Sequence, residues 1–296
     1  MERKDRLDGF AIASVLGCCL LWGLAQVAIK AALTEIGPWW QAALRSALAA
    51  GLVWTWARLR GIPLFARDGS LAGGLLAGAL FGGEFACIYW GMQFTGAARM
   101  VVFIYLAPFV VALGMPFISR QERLRPRQAL GLLLAFAAVA WAFAEGFSAS
   151  SASHPRQWLG DAMGLLAALL WGGTTLSIRG SRLAQASAEK TLFYQLAVSA
   201  LMLGAAALCL HEPLPASWSL RLLGLFGFQA VVVSFASYLL WFWLIRHYPA
   251  TRLASFTLST PLFGLLAGGW LLGEPLTPRL LLAMAGLGLG IALVNR

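Results

Sequence analysis

Residues 21–30 read LWGLAQVAIK and residues 170–179 read LWGGTTLSIR, two copies of one pattern set 149 positions apart in a chain of 296. The match continues downstream. Arg99 through Ala107-Pro108 corresponds to Arg252 through Thr260-Pro261 at an offset of 153, and Glu122-Arg-Leu-Arg-Pro126 corresponds to Glu274-Pro-Leu-Thr-Pro278 at 152. Single gaps account for the drift. A repeat of this length outranks any short motif, because it fixes the architecture. It divides the chain into a first unit, 1–147, and a second, 159–296, joined by a linker over 148–158 whose polar stretch is Ser148–Pro155.

The solvent of both units follows from composition. The chain is 60% hydrophobic and 11% charged, where a soluble domain carries roughly a quarter charged residues, so a water-soluble globular protein is excluded. A helix needs about 20 mostly apolar residues to cross a bilayer. Ten such runs are expected, over Gly9–Leu33, Pro38–Ala57, Ser70–Trp90, Met100–Ser119, Gln128–Phe147, Leu159–Leu183, Lys190–Leu210, Leu220–Ile245, Leu253–Leu272 and Leu280–Val294. They are continuous, without the in/out alternation of barrel strands. The first is too long for a removed signal peptide and lacks a small-residue cleavage site, so it reads as a retained span. Five spans per unit is an odd number, so the second unit enters from the opposite side. The expected fold is all-α and integral to the membrane: ten transmembrane helices as two inverted-topology five-helix repeats. That arrangement is characteristic of secondary transporters.

The net charge of +10 is an orientation signal. Sixteen of the 22 basic residues fall in the termini and even-numbered connections, five in the odd-numbered ones, and Arg45 lies inside a span. Short cytoplasmic connections are rich in Lys and Arg, which puts both termini in the cytoplasm and leaves attraction to anionic lipid, not nucleic acid, as the reading of the excess charge. Cys18, Cys19, Cys87 and Cys209 all sit in apolar runs without metal-binding spacing. No metal or other cofactor is expected.

On Trp22-Gly23 and Trp171-Gly172, on Pro108 and Pro261, and above all on Leu272-Gly273-Glu274-Pro275-Leu276-Thr277, the chain resembles the EamA-type branch of the drug/metabolite transporter superfamily along its whole length. The first unit departs from the penultimate-loop signature, with Arg120-Gln121-Glu122 in place of Gly-Glu. The resemblance implies an exporter in a bacterial inner membrane, most similar to exporters of aromatic and other neutral amino acids. It also implies a cavity surrounded by the first, third and fourth spans of each half.

Several residues are expected to line that cavity. Residues four apart stack on one helix face, so Trp22, Gln26 and Lys30 form one stripe and Trp171, Thr175 and Arg179 its counterpart. Glu84, in the middle of the third span, must face the interior or water, where it could hold a substrate ammonium or a proton. Arg45 is expected to snorkel or to meet a backbone carbonyl. By the implied cavity, Tyr89, Tyr105, Gln229, Ser237, Tyr238 and Phe256 join the lining. Pro108 and Pro261 each remove a helix hydrogen bond and are expected as hinges.

These residues point to a secondary transporter, exporting small neutral metabolites, with aromatic or hydrophobic amino acids as the expected substrate and other amphiphilic metabolites or drugs as the alternative. An enzyme is not expected, because His154, His211 and His247 lie at span ends and neither HExxH nor a P-loop is present. A scaffold would not require polar groups in the midplane, and no filter-like segment marks a channel. The sequence carries no signal of oligomeric state.

Overall fold

The computed structural model describes residues 8–118, 126–145, 155–248, 253, 256–257 and 259–294. The described residues are helical apart from short connections. The elements are α1 (Gly9–Ala32), α2 (Pro38–Leu59), α3 (Leu71–Gly91), α4 (Ala97–Ile104), α5 (Ala107–Ile118), α6 (Pro126–Glu145), α7 (Gln157–Arg179), α8 (Ala188–Cys209), α9 (Leu220–Gly227), a π-helical segment (Phe228–Ser237), α10 (Tyr238–His247), α11 (Ser259–Leu272) and α12 (Pro278–Val294). With α4/α5 as one broken span and α9/π/α10 as one continuous span, these are the ten expected crossings. Six of them are long and apolar enough to cross a bilayer by length and composition alone.

Local chemistry sets the helix starts. Asp8 accepts from the Ala11 N–H at 2.9 Å, Ser187 from Lys190 at 3.1 Å and Ser219 from Leu222 at 3.0 Å, each satisfying a donor that has no partner within its helix. Pro38 opens α2, where a missing N–H costs nothing.

The packing repeats by exchange. α1 packs against α11 as α7 packs against α5. α1 meets the π-helical segment as α7 meets α3, and α2 meets that segment as α8 meets α3, while α2 pairs with α8 and α6 with α12. Each half therefore closes on the other around one approximate two-fold axis. Outer faces carry large exposed apolar residues, among them Phe117, Leu133, Leu201, Leu220 and Trp270. Lipid tails give such helices no hydrophobic drive to associate, so close van der Waals packing and polar contacts hold the halves together.

The two Trp-Gly motifs mark close helix crossings. A methyl group at Gly23 would lie 2.6 Å from the Gly264 nitrogen, and one at Gly172 would lie 2.5 Å from Val110 Cγ1. The glycine of each motif thus serves close approach, α1 to α11 and α7 to α5, leaving the tryptophan free for other work.

Three expectations need correction. The fourth span is not continuous: it breaks at Tyr105 and Leu106. Pro108 falls in the first turn of α5 and Pro261 in the first turn of α11, where the absent N–H needs no partner. The second unit begins its helix at Gln157, inside the expected linker. Residues 148–154 of that linker, and Arg120-Gln121-Glu122, lie outside the described residues.

Candidate functional site

The polar centre of the bundle is assembled from α1, α2, α3, the broken fourth span, α7 and the π-helical segment. α3 turns Phe81, Phe85 and Tyr89 along one face at four-residue spacing, with ring centroids 4.7 and 6.1 Å apart. From α2, Arg45 lays its guanidinium over this ladder, 3.9 Å from the Phe85 centroid and 5.6 Å from Tyr89. Its hydrogen bond is to the Ser46 hydroxyl at 3.3 Å, and Ser46 meets Ser199 of the other half at 3.3 Å.

The expectation that Arg45 snorkels, or meets a backbone carbonyl, is wrong. Its side chain is 2% exposed. α3 and α8 both pack on α2 and close the route to either interface. The ring faces of Phe85 and Tyr89 supply the compensating negative potential.

Glu84 is 6% exposed. It lies within electrostatic reach of Arg45, Tyr105 and Tyr238, yet no hydrogen bond or ion pair joins it to Arg45 among the described residues. Tyr89 donates its hydroxyl proton to Gln229 Oε1 at 2.8 Å, and Gln41 donates to the same oxygen at 3.2 Å. Gln229 in turn donates to the Ala28 carbonyl at 3.3 Å. The π-helical winding makes this geometry: the Ser234 hydroxyl bonds the Gln229 carbonyl five residues back at 2.9 Å. Such widened turns occur mostly at functional sites.

The two tryptophans flank this centre. Trp22 donates from Nε1 to the Ser237 hydroxyl at 2.9 Å and meets Tyr238 and Trp241 edge-on at 6.2 and 5.5 Å. Trp171 meets Tyr105 edge-on at 5.5 Å. Tyr105, at the break of the fourth span, has Thr260 and Cys19 beside it. The structure therefore brings Trp22, Glu84, Tyr89, Tyr105, Trp171, Gln229, Ser237 and Tyr238 into one neighbourhood.

Five buried polar atoms there have no partner among the described residues: Gln26 Oε1, Gln41 Oε1, Arg45 Nε, Glu84 Oε2 and Thr260 Oγ1. A buried donor or acceptor left unpaired costs on the order of 1–3 kcal/mol, more when charged.

Two expected residues stand apart. The Thr175 hydroxyl bonds the Trp171 carbonyl of its own helix at 3.2 Å, so its polarity is spent locally. Phe256 packs in a satellite cluster with Val15, Cys19, Leu244 and Tyr248, next to Trp241. Gln41, Ser46, Ser199 and Thr260 are site residues that the sequence does not single out, and Arg45 is one whose place it mistakes. The usable signal was Gln41 and Arg45 at four-residue spacing in an otherwise apolar helix.

Polar contacts between the halves close both ends. On the face of the odd-numbered connections, Arg99 pairs with Asp161 at 2.5 Å, and Thr95 donates to Asp161 at 2.7 Å. Glu274 accepts from the Ala97 and Ala98 N–H groups at 2.7 and 2.8 Å. Glu212 accepts from Trp40 N–H at 2.6 Å, and within the first half Lys30 donates to the Met92 and Thr95 carbonyls. Arg99 is thus no loop charge but a buried member of α4. On the opposite face Tyr248 donates to Asp8 at 2.9 Å and Lys190 to Asp68 at 2.8 Å. An offset of 153 relates Thr95 to Tyr248, and each donates to a carboxylate of the other half, Asp161 and Asp8, one on each face.

The sequence pattern of the EamA-like transporter family matches residues 9–144 and 158–296. Among known proteins, an uncharacterized protein of Pseudomonas aeruginosa is 32% identical over 184 residues, covering 62% of this chain and 60% of its own length. The uncharacterized transporter YoaV of Bacillus subtilis is 22% identical over 274 residues, 90% of each chain. An uncharacterized transporter of Archaeoglobus fulgidus is 38% identical over 77 residues, 26% of this chain and 28% of its own. A crystal structure at 20% identity superimposes with a TM-score of 0.65 over 96% of both chains and supports the same fold.

Proposed function

Because the chain belongs to the EamA-like transporter family and is a multi-pass membrane protein, we propose that it exports small neutral metabolites, aromatic or hydrophobic amino acids first among them, by alternating access. One observation carries the reading. Buried polar groups without partners lie between two inverted halves and are walled by Trp22, Tyr89, Tyr105, Trp171 and Tyr238. A low-dielectric site holds such groups at a cost unless a ligand engages them. Their aromatic surroundings match an apolar side chain.

The halves would rock about the polar centre, with the break next to Pro108 absorbing the bend in the first half and Pro261 standing at the matching position of the second. The carboxylate locks would open alternately on the two faces. A ligand favours the exchange only as far as it stabilises the closed or interconverting state over the others. The excess of Lys and Arg in the termini and even-numbered connections supports cytoplasmic termini, the relatives in Pseudomonas and Bacillus support a bacterial inner membrane, and other amphiphilic metabolites or drugs are the alternative cargo.

The test is transport in proteoliposomes with labelled Phe, Trp, Tyr, Leu and Thr, with and without a pH gradient. Flux equal to that of empty vesicles would remove the amino-acid reading. Proton exchange would run through Glu84, which faces Arg45, Cys87, Tyr105 and Tyr238. Flux indifferent to the pH gradient and to Glu84→Gln would remove it.

A further inference from the structure

Arg45 holds a position that structural need does not explain. A guanidinium has five donors in a fixed fork, and here the bond to Ser46 engages one group and the Tyr238 hydroxyl lies within hydrogen-bonding reach of the fork, while Nε is buried without a partner. Two ring faces hold its carbon centre in place. Glu84, in the same neighbourhood, also keeps a buried oxygen unpartnered. No hydrogen bond or ion pair joins the guanidinium to the carboxyl among the described residues, although a direct pair would be the simplest way to satisfy both.

We propose that Arg45 and Glu84 form a two-pole site for a zwitterion: the Arg45 fork takes the carboxylate of the cargo and Glu84 takes its ammonium. This rests on the transport reading above and narrows its substrate to molecules carrying both charges. The electrostatics favour this class over singly charged ones. With Glu84 ionised, the site contributes one positive and one negative charge, so a zwitterion pairs both and leaves the closed centre neutral. An amine alone leaves the guanidinium without its anion, and an acid alone leaves the carboxylate without its cation, each a buried charge without compensation. Arginine suits the first role better than lysine, because its planar fork matches a carboxylate in two parallel hydrogen bonds. The Phe81–Phe85–Tyr89 ladder keeps that plane fixed, and the remaining aromatic walls are left for the apolar side chain of the cargo.

The experiment compares L-phenylalanine with phenethylamine, which lacks the carboxylate, and 3-phenylpropionate, which lacks the ammonium. Proteoliposomes of the full chain are assayed for flux and competition, and the detergent-purified protein for ligand-induced thermal stabilisation. The wild type is expected to prefer phenylalanine over either analogue by about 100-fold, the scale of losing one charge-assisted pair. Arg45→Lys keeps the charge and loses the fork. It is expected to raise the KM for phenylalanine by about 30-fold or more while its KM for phenethylamine changes by less than about 3-fold. Arg45→Gln is expected to abolish the preference for phenylalanine over phenethylamine, with Glu84→Gln doing the same for 3-phenylpropionate. Equal handling of all three compounds by the wild type, or an unchanged preference in Arg45→Lys, would overturn the two-pole site. A binding preference for phenylalanine without flux would instead overturn the transport reading and leave the site standing.

Discussion

Removing Glu274 should loosen the first half from a position in the second. Gly273 turns the chain at φ +65°, a conformation that favours glycine, and delivers the next side chain onto the first turn of α4. There the carboxylate accepts from Ala97 at 2.7 Å and Ala98 at 2.8 Å. The N-cap residue of α4 is Gly96, with no side-chain bond of its own, so Glu274 alone caps this end from a side chain among the described residues. Gly96 and Gly268 supply the space: a methyl group at either would lie within 2.9 Å of Glu274 Oε2. Loss of an ordinary N-cap costs about 1–2 kcal/mol, and loss of a negative charge at a helix N-terminus about 0.5–1 kcal/mol more. Glu274→Ala is therefore expected to destabilise the fold by about 2–3 kcal/mol. Glu274→Gln, which keeps one acceptor and loses the charge, should cost about half of that. Thermal or denaturant unfolding in detergent reads both, with Glu274→Ala lowering Tm by about 5 °C or more. A Glu274→Ala protein melting within about 1 °C of the wild type would refute the capping argument.

Other perturbations probe other contacts. Gly23→Val forces a branched side chain against the Gly264 backbone and Phe263 and is expected to cost about 2–3 kcal/mol in unfolding experiments; the Gly172→Val mate should behave alike, since Val110 sits equally close. Asp161→Asn keeps the shape of the buried lock but removes the anion facing Arg99, and a loss of about 3 kcal/mol is expected, read by unfolding in detergent. Trp22→Phe retains the ring contacts and forfeits the bond to Ser237, for an expected cost of about 1 kcal/mol. The Lys190 ammonium and then Ser70 hold the Asp68 carboxyl well below the usual carboxylate range. Because the folded value lies below the unfolded one, near 3.9, the contact stabilises fully at neutral pH and fades as pH falls through that range. The Tm difference between wild type and Asp68→Asn should accordingly shrink between pH 7 and pH 3.

Legibility differed between fold and site for a physical reason. Glu84 could be placed inside from its depth alone, because no interface is within reach of a short side chain at mid-span. Arg45 could not: it lies seven residues into α2, about 10 Å along the axis, a distance a long side chain can bridge to water. Snorkelling and burial look the same in one dimension, and the packing of α3 and α8 decides between them. Arg99 and Asp161 are 62 positions apart and read separately as a loop charge and an unremarked acid; only the packing of α4 on α7 makes them a pair. Thr175 misled in the opposite sense, its hydroxyl being satisfied by the carbonyl one turn back.

The amino-acid sequence by itself determined the solvent, the ten crossings and the duplication, because these follow from apolar run length, helix rise and an odd number of spans per copy. Tertiary structure decided which side chains meet. Contacts such as Trp22 to Ser237 or Arg45 to Phe85 join separate helices, and their existence depends on crossings at Gly23 and Gly172 and on a π-helical turn, none of which a helix in isolation specifies.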